Sequence, residues 1–373
     1  MDLDAAIKNF GGKAGQLIVL DQANLGLPIP TYVFLGSGEL FSSVKSEVAA
    51  MNPPYIVRGS NPSDHMGLEG IIPTYPNLKY PVDVVEMVLK LRQETSSPNF
   101  FSQYEEVYGV VDHTTHALIM EQNRSDTFVN ALRHPHLPEF LQMEFVHAPM
   151  AGWERRCIAL QYNMVKREFY MGSLEVRIEL DEALKKISEL GGVKKTEEML
   201  QSIMDIVTKV ESSNMVTSGY ALQFEMGLDQ PALFQVRPFK PFSKPAFNFP
   251  VDGTDLHRFC FGQTPPEGIE IGVEENDHIY GYGLKYNTIS PNGYFNVFDA
   301  STLHNLGFID PGYRHLRVLG FDTPNASMLS HGMIRLMKRA EVVCLGANLP
   351  KGPKRCSKVR VISNGADYRL IPL

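Results

Sequence analysis

Apolar and polar positions alternate along this chain so as to mark out short strands and a few amphipathic helices. An apolar run through Leu17, Leu20 and Ala23 follows Gly11-Gly12-Lys13-Ala14-Gly15 and predicts a helix. Leu27-Pro28-Ile29-Pro30 breaks it before the strand-like Tyr32-Val33-Phe34-Leu35. Tyr55-Ile56-Val57 predicts a second strand that runs out through Arg58-Gly59-Ser60 into a polar loop ending near Gly70. Val84, Met87, Val88 and Leu91 share one helical face behind Asp83, a residue type suited to an N-cap. Ala117-Leu118-Ile119-Met120 predicts a strand ending at Glu121-Gln122. Between 140 and 180, Met143, Phe145 and His147, then Ile158, Leu160 and Tyr162, follow the strand period. Two helices are expected over 181–211, capped by Asp181 and Thr196 and parted by Gly191-Gly192. The second should bury Leu200, Ile203, Val207 and Val210.

Two further strands, Leu222 to Met226 and Phe234 to Arg237, flank a turn at Gly227-Leu228-Asp229-Gln230-Pro231. This hairpin sets Glu225 and Gln235 on one wall and Arg237 just beyond. A carboxylate with an amide oxygen suits Mg²⁺, which keeps waters and borrows phosphate oxygens. An arginine fork suits a phosphate. The pair of strands therefore predicts a nucleotide-triphosphate site. Prolines 238, 241, 245, 250, 265 and 266 then crowd one interval, as in a semi-stiff connector. The expected division is a nucleotide-binding domain over 1–245, a linker over 246–268 and a small α/β domain over 269–373. The last should hold a helix from Ser327 to Lys338 and strands at Val342–Leu345, Val359–Ile362 and Tyr368–Ile371.

Composition narrows the class. The chain has 373 residues, 43% hydrophobic and 21% charged, as expected of a soluble globular protein. A net charge of −7 supplies no general attraction for nucleic acid or anionic membrane, so neither is an expected partner. No apolar run reaches the roughly 18–20 residues of a transmembrane helix. Met1-Asp2-Leu3-Asp4 lacks the order of a signal peptide, which predicts a cytoplasmic location. Cys157, Cys260, Cys344 and Cys356 lack metal-ligand spacing and suit thiols in a reducing compartment.

Other candidate residues depend on their neighbours. Lys13 follows two glycines, which would let backbone approach a phosphate that the lysine neutralises; a surface lysine on a glycine-capped helix is the plain alternative. Arg58 and Ser60 at a strand mouth form a candidate phosphate clamp or a solvated loop. His331, after the helix-start signal Pro324-Asn325-Ala326-Ser327, is a candidate for transient phosphorylation, because a helix N-terminus favours an anion. A structural histidine is the alternative. Asp112-His113-Thr114-Thr115-His116 and His134-Pro135-His136 lack third and fourth ligands for a metal.

Several of these pieces occur in the order of a known family. Gly11-Gly12-Lys13-Ala14 followed by Leu27-Pro28-Ile29-Pro30 resembles the opening of the nucleotide-binding domain of phosphoenolpyruvate synthase and pyruvate phosphate dikinase. Val57-Arg58-Gly59-Ser60 through Gly70 to Thr74-Tyr75 looks like that family's Val-Arg-Ser-Ser loop, though shorter. Ala117 to Glu121 resembles the strand ending at the adenine hinge. Glu225 with Gln235-Val236-Arg237-Pro238 looks like the metal-binding Glu and the Gln-Ala-Arg-Pro signature. Ser330-His331-Gly332-Met333-Ile334 resembles the Ser-His-Ala-Ala-Ile motif of the swivelling phosphohistidine domain.

The resemblance implies an α/β chain: a two-lobed ATP-grasp domain followed by a swivelling phosphohistidine-like domain. It implies ATP and Mg²⁺ as cofactors. Lys13, Arg58, Ser60, Met120 and Gln122 would contact nucleotide, Glu225 and Gln235 would hold the metal, and Arg237 and His331 would be catalytic. His331 would take a phosphoryl group and pass it to a small-molecule or protein acceptor, on this chain or another; an oligomer is compatible with this. The chain departs from the family in three places. No pyruvate-binding barrel follows, the Phe-Thr and Gly-Leu-Gly-Glu elements are absent around Gly152 to Gly172, and Ala326-Ser327-Met328-Leu329 replaces paired glycines. Two alternatives therefore stay open: a diverged nucleotide-binding or regulatory module without the relay, and an ATP-grasp kinase or ligase with direct transfer.

Overall fold

The structure is a computed structural model. It describes residues 1–66, 72–97, 99–102, 105, 111–133, 139–147, 157–171, 177–189, 196–213, 221–228 and 230–239, and the backbone of seven later strands. The elements before residue 130 are α1 (Leu3–Gln22), β1 (Tyr32–Leu35), α2 (Lys45–Ala50), β2 (Tyr55–Ser60), β3 (Thr74–Leu78), α3 (Pro81–Thr95), β4 (His116–Glu121) and β5 (Thr127–Arg133), which starts there. Next come β6 (Phe140–His147), β7 (Cys157–Asn163), β8 (Glu168–Tyr170), β9 (Arg177–Ile178), α4 (Leu180–Ser188), α5 (Thr196–Glu211), β10 (Ala221–Gly227) and β11 (Ala232–Phe239). The late strands are β12 (Phe259–Gly262), β13 (Glu270–Glu275), β14 (Tyr294–Asp299), β15 (Val318–Asp322), β16 (Val342–Leu345), β17 (Ser357–Ser363) and β18 (Tyr368–Pro372). The class is mixed α/β, as expected from the sequence.

The chain forms two compact units. The first gathers Met1–Val129, Lys194–Ser218 and Leu222–Phe239; the second gathers Asn130–Val193, Gly219–Ala221 and Lys240–Leu373. Residues of the stretch 1–245 are thus shared between both units.

In the first unit, β1-β4-β2-β3 form an antiparallel sheet. Tyr32 and Ile56 pair with Met120, Phe34 and Arg58 with Leu118, and Ser60 with His116, so these residues share one face. That face carries α1: Ala14 and Leu17 pack on Leu118 and Met120, with Phe10, Ile29 and Phe34 at the margin. Strand β11 also packs on α1, and Leu233 N donates to Pro28 O at 2.9 Å. A helix covered this way is buried on almost every side from Gly11 to Leu20, which explains its weak amphipathic pattern.

α1 starts earlier than the sequence suggested. Asp2 accepts from Ala5 N at 2.7 Å and caps a first segment; Gly11, at φ 81 and ψ 166, then breaks the helix before it resumes. On the sheet's other face α3 buries Val84, Val88 and Leu91, leaving Met87 at the boundary. Asp83 is not its N-cap. Tyr80 holds that place because Pro81 fixes the first helical φ, and the Asp83 carboxylate reaches back to accept from Lys79 N and Tyr80 N at 3.1 and 3.0 Å. Asp181 likewise lies within the first turn of α4, whose N-cap is Glu179. α5 buries Leu200, Ile203, Val207 and Val210, as its period requires. Within this unit the strand order is β11-β10-β5.

In the second unit β6-β7-β8-β9 follow one another antiparallel. β6 buries Met143 and Phe145, but also Gln142, Glu144 and Val146, so both of its faces are covered. The late strands form a sheet ordered β12-β16-β15-β14-β13-β17-β18, parallel from β13 through β16 and antiparallel at its edges. β12 lies inside the stretch expected as linker. Phe259-Cys260-Phe261 aligns with Leu345, Cys344 and Val343, and no proline stands between the strand's ends, Phe259 and Gly262. The helix expected over 327–338, and His331 with it, lies outside the described residues. No described helix is long and apolar enough to cross a membrane.

Candidate functional site

Three cations from distant parts of the chain meet inside the first unit. Lys13 comes from α1, Arg58 from β2 and Arg237 from β11. Each is at least nine-tenths buried. Lys13 Nζ donates to Gly59 O at 2.9 Å and lies 3.2 Å from both carboxylate oxygens of Asp64. Arg58 Nη2 donates to Gln235 Oε1 at 2.9 Å, and its Nη1 reaches Phe234 O at 3.5 Å. Arg237 Nη2 donates to the same Gln235 oxygen at 2.9 Å and sits 3.0 Å from Glu225 Oε1; its Nη1 donates to Gln223 Oε1 at 3.1 Å.

The strand period builds this arrangement. Gln223 and Glu225 share one face of β10 while Leu222, Phe224 and Met226 fill the other; Gln235 and Arg237 share a face of β11. On β2, Arg58 points to the α1 side, and the chain turns back at Pro62–Met66 to bring Asp64 under Lys13. Lys13, Arg58 and Arg237 share this interior with the carboxylates Asp64 and Glu225. Glu225 is the most open member, its side chain 18% exposed against 5% for Arg237.

Burial lowers the Lys13 pKa, Asp64 opposes the shift, and Arg58 and Arg237 add to it. Burial also lowers Arg58, with Glu225 and Asp64 opposing and Arg237 adding. Mutual repulsion among desolvated cations is unfavourable unless an anion balances it.

The remaining candidates lie elsewhere or serve the fold. The Ser60 hydroxyl donates to Phe10 O at 2.9 Å and accepts from Ala14 N at 3.0 Å, bridging the break at Gly11. Gly12 N donates to Asn61 O at 2.9 Å. The helix amides expected to face a phosphate are therefore engaged by protein, and the two glycines instead let α1 press against Ser60 and Asp64. The Met120 side chain lies in the core under α1. Gln122 joins Asn77 through both its amide oxygen and its amide nitrogen, and Gln122 N donates to Pro54 O. His116 Nδ1 accepts from Ser37 N at 3.1 Å and packs by Phe34, while His113 meets Glu105 at 2.9 Å. Among the described residues no His, Cys, Asp and Glu cluster could hold a metal by itself. An open hollow lined by Asp4, Ile7, Lys8, Pro62, Ser63, Val111 and Asp112 shares no residue with the cationic network.

Asp64 and Gln223 complete the network and were not singled out as site residues from sequence. Gln223 was legible: a polar residue two before Glu225, in a strand otherwise apolar, must share its face. Asp64 was not, since its approach to Lys13 depends on a turn.

No protein-family model matches the chain, and none of the proteins of curated function matches it. Among solved structures, D-alanine–D-alanine ligase from Bacillus anthracis, complexed with ATP, is 9% identical at a TM-score of 0.35, covering 63% of this chain and 57% of that one. N5-carboxyaminoimidazole synthetase from Staphylococcus aureus is 10% identical at 0.35, covering 63% and 46%. A protein from Pyrococcus horikoshii is 11% identical at 0.35, covering 64% and 95%. Likenesses of this size decide neither fold nor activity.

Proposed function

We propose that the first unit binds Mg²⁺-ATP, as a diverged site of the ATP-grasp kind. The observation that carries this is the convergence of Lys13, Arg58 and Arg237 in one buried network. A polyphosphate carries the negative charge that clustered cations attract, and two guanidinium forks with an ammonium suit its oxygens. Glu225 and Gln235 fit a magnesium ion, which takes few protein ligands and completes its shell with phosphate and water. Bound there, the ion would neutralise phosphate charge. Glu225 is the more open of the two, while the Gln235 oxygen is shared between two guanidiniums and would have to exchange a partner.

Positioning and charge neutralisation are what phosphoryl transfer asks of a protein. The network provides both without needing an acid–base residue, which favours direct use of ATP by a kinase, a ligase or a nucleotide-responsive module. A relay through His331 would need a second site, and no observation on the described residues speaks for it. Glu225→Ala tests the metal assignment. It should abolish the Mg²⁺ dependence of ATP binding and, because it removes the carboxylate beside buried Arg237, lower the melting temperature without unfolding the protein. An unchanged Mg²⁺ dependence, measured by titration of fluorescent nucleotide, would remove Glu225 from the site.

A further inference from the structure

We propose that Asp64 is a positioning residue of the phosphate site, holding the Lys13 ammonium charged and fixed beside Arg58; this rests on reading that site as one for nucleotide phosphates. An aspartate cannot itself attract a phosphate. Its place is nevertheless built with care. Both Asp64 oxygens lie 3.2 Å from Lys13 Nζ, and both side chains are nearly sealed from solvent, at 5% and 4% exposure. The Asp64 backbone N donates to Asn61 O at 3.0 Å, and Asp64 Oδ2 accepts from Asn61 N at 3.2 Å. Asn61 Nδ2 in turn donates to Asp112 O and Thr114 O at 2.7 and 2.8 Å. A side chain at Gly12 would strike Asp64 Cβ, so the helix carrying Lys13 approaches this carboxylate as closely as backbone allows.

The surroundings of Lys13 explain why such a partner is needed. Burial favours the neutral amine, and so do the charges of Arg58 and Arg237; Asp64 is the charged group that favours the ammonium, alongside the Gly59 carbonyl that accepts from it. A neutral amine would lose its pull on phosphate. Asp64 therefore strengthens anion binding although it is itself an anion, the reverse of what charge counting across the site suggests.

The test compares Mg²⁺-ATP dissociation constants near pH 7 and near pH 9 for the full chain and for Asp64→Asn, Asp64→Glu, Lys13→Met and the Lys13→Met/Asp64→Asn double variant, with melting curves to establish folding. Asp64→Asn should weaken binding roughly tenfold near pH 7, about 1.4 kcal/mol, and more near pH 9. Asp64→Glu should restore most of the affinity, and in the Lys13→Met background the Asn substitution should add no further loss. Tighter or unchanged binding by folded Asp64→Asn overturns the proposal alone, as does an equal loss in the Lys13→Met background, which would mark Asp64 as a structural residue. If Asp64→Asn does not fold by itself, the comparison of the double variant with Lys13→Met decides by the same criterion. Wild type that is folded and binds no Mg²⁺-ATP overturns the phosphate-site reading and this proposal together.

Discussion

At Gly11 and Ser60 a missing side chain and a single hydroxyl decide the course of α1. Gly11 adopts φ 81 with extended ψ, a region open almost only to glycine, and a Cβ there would meet Ser60. Gly11→Ala should cost about 1–3 kcal/mol from backbone strain alone, read as a lower midpoint in urea unfolding. Ser60→Ala removes both hydrogen bonds across the break and should cost about 1–2 kcal/mol, with nucleotide affinity little changed. A large loss of affinity at full stability would return Ser60 to the nucleotide contacts implied by the family resemblance. The glycines at 11 and 12 were visible in the sequence, but their use was not. Whether a glycine admits a ligand or a neighbouring turn depends on residues some fifty positions away, here Ser60, Asn61 and Asp64.

Among elements, the β10–β11 hairpin was the most legible, and for a physical reason. A strand with polar residues every second place, set among buried apolar ones, has to put its polar face toward something polar. Gln223, Glu225, Gln235 and Arg237 obey that rule, and β2 and α1 supply the other partners. α1 was read only in part. Being covered by both a sheet and β11, it lacks the polar stripe that would reveal its full length. Leu17, a fully buried residue of α1 packed against Leu118 and Met120, tests that contact. Leu17→Ala should destabilise the protein by about 2–5 kcal/mol, detectable by calorimetric melting. A loss under 1 kcal/mol would mean that the α1–sheet contact is not a core. β12 was missed for a converse reason: surrounding prolines outweighed a four-residue apolar run, although none of them lies within the strand.

For the whole molecule, a linear reading does not show where the chain returns to an earlier unit. The first unit takes residues from three stretches, and only tertiary contacts join the last of them, β10 and β11, to α1 and β2. Net charge is equally uninformative at this scale: the chain carries −7 overall, yet the interior of this unit concentrates three cations. That concentration has a pH signature. Lys13 has a folded pKa below its ordinary 10.5. Between those two values the unfolded chain holds a proton that the folded one does not, so Lys13 makes stability rise with pH across that window. Below the window its penalty is fully present. The stability of wild type minus that of Lys13→Met, from urea unfolding at several alkaline pH values, should therefore grow as pH increases. A difference that shrinks would mean that Asp64 outweighs burial.

All of these expectations meet in one claim, that the buried cations hold a nucleotide's phosphates. Isothermal titration of Mg²⁺-ATP into wild type and into Arg58→Ala tests it most directly. Wild type should bind at one saturable site. The variant, folded by its melting curve, should bind roughly ten- to a hundredfold more weakly, as expected for a lost charge-assisted contact. No heat of binding to folded wild type, or equal affinity in the two proteins, would contradict the account.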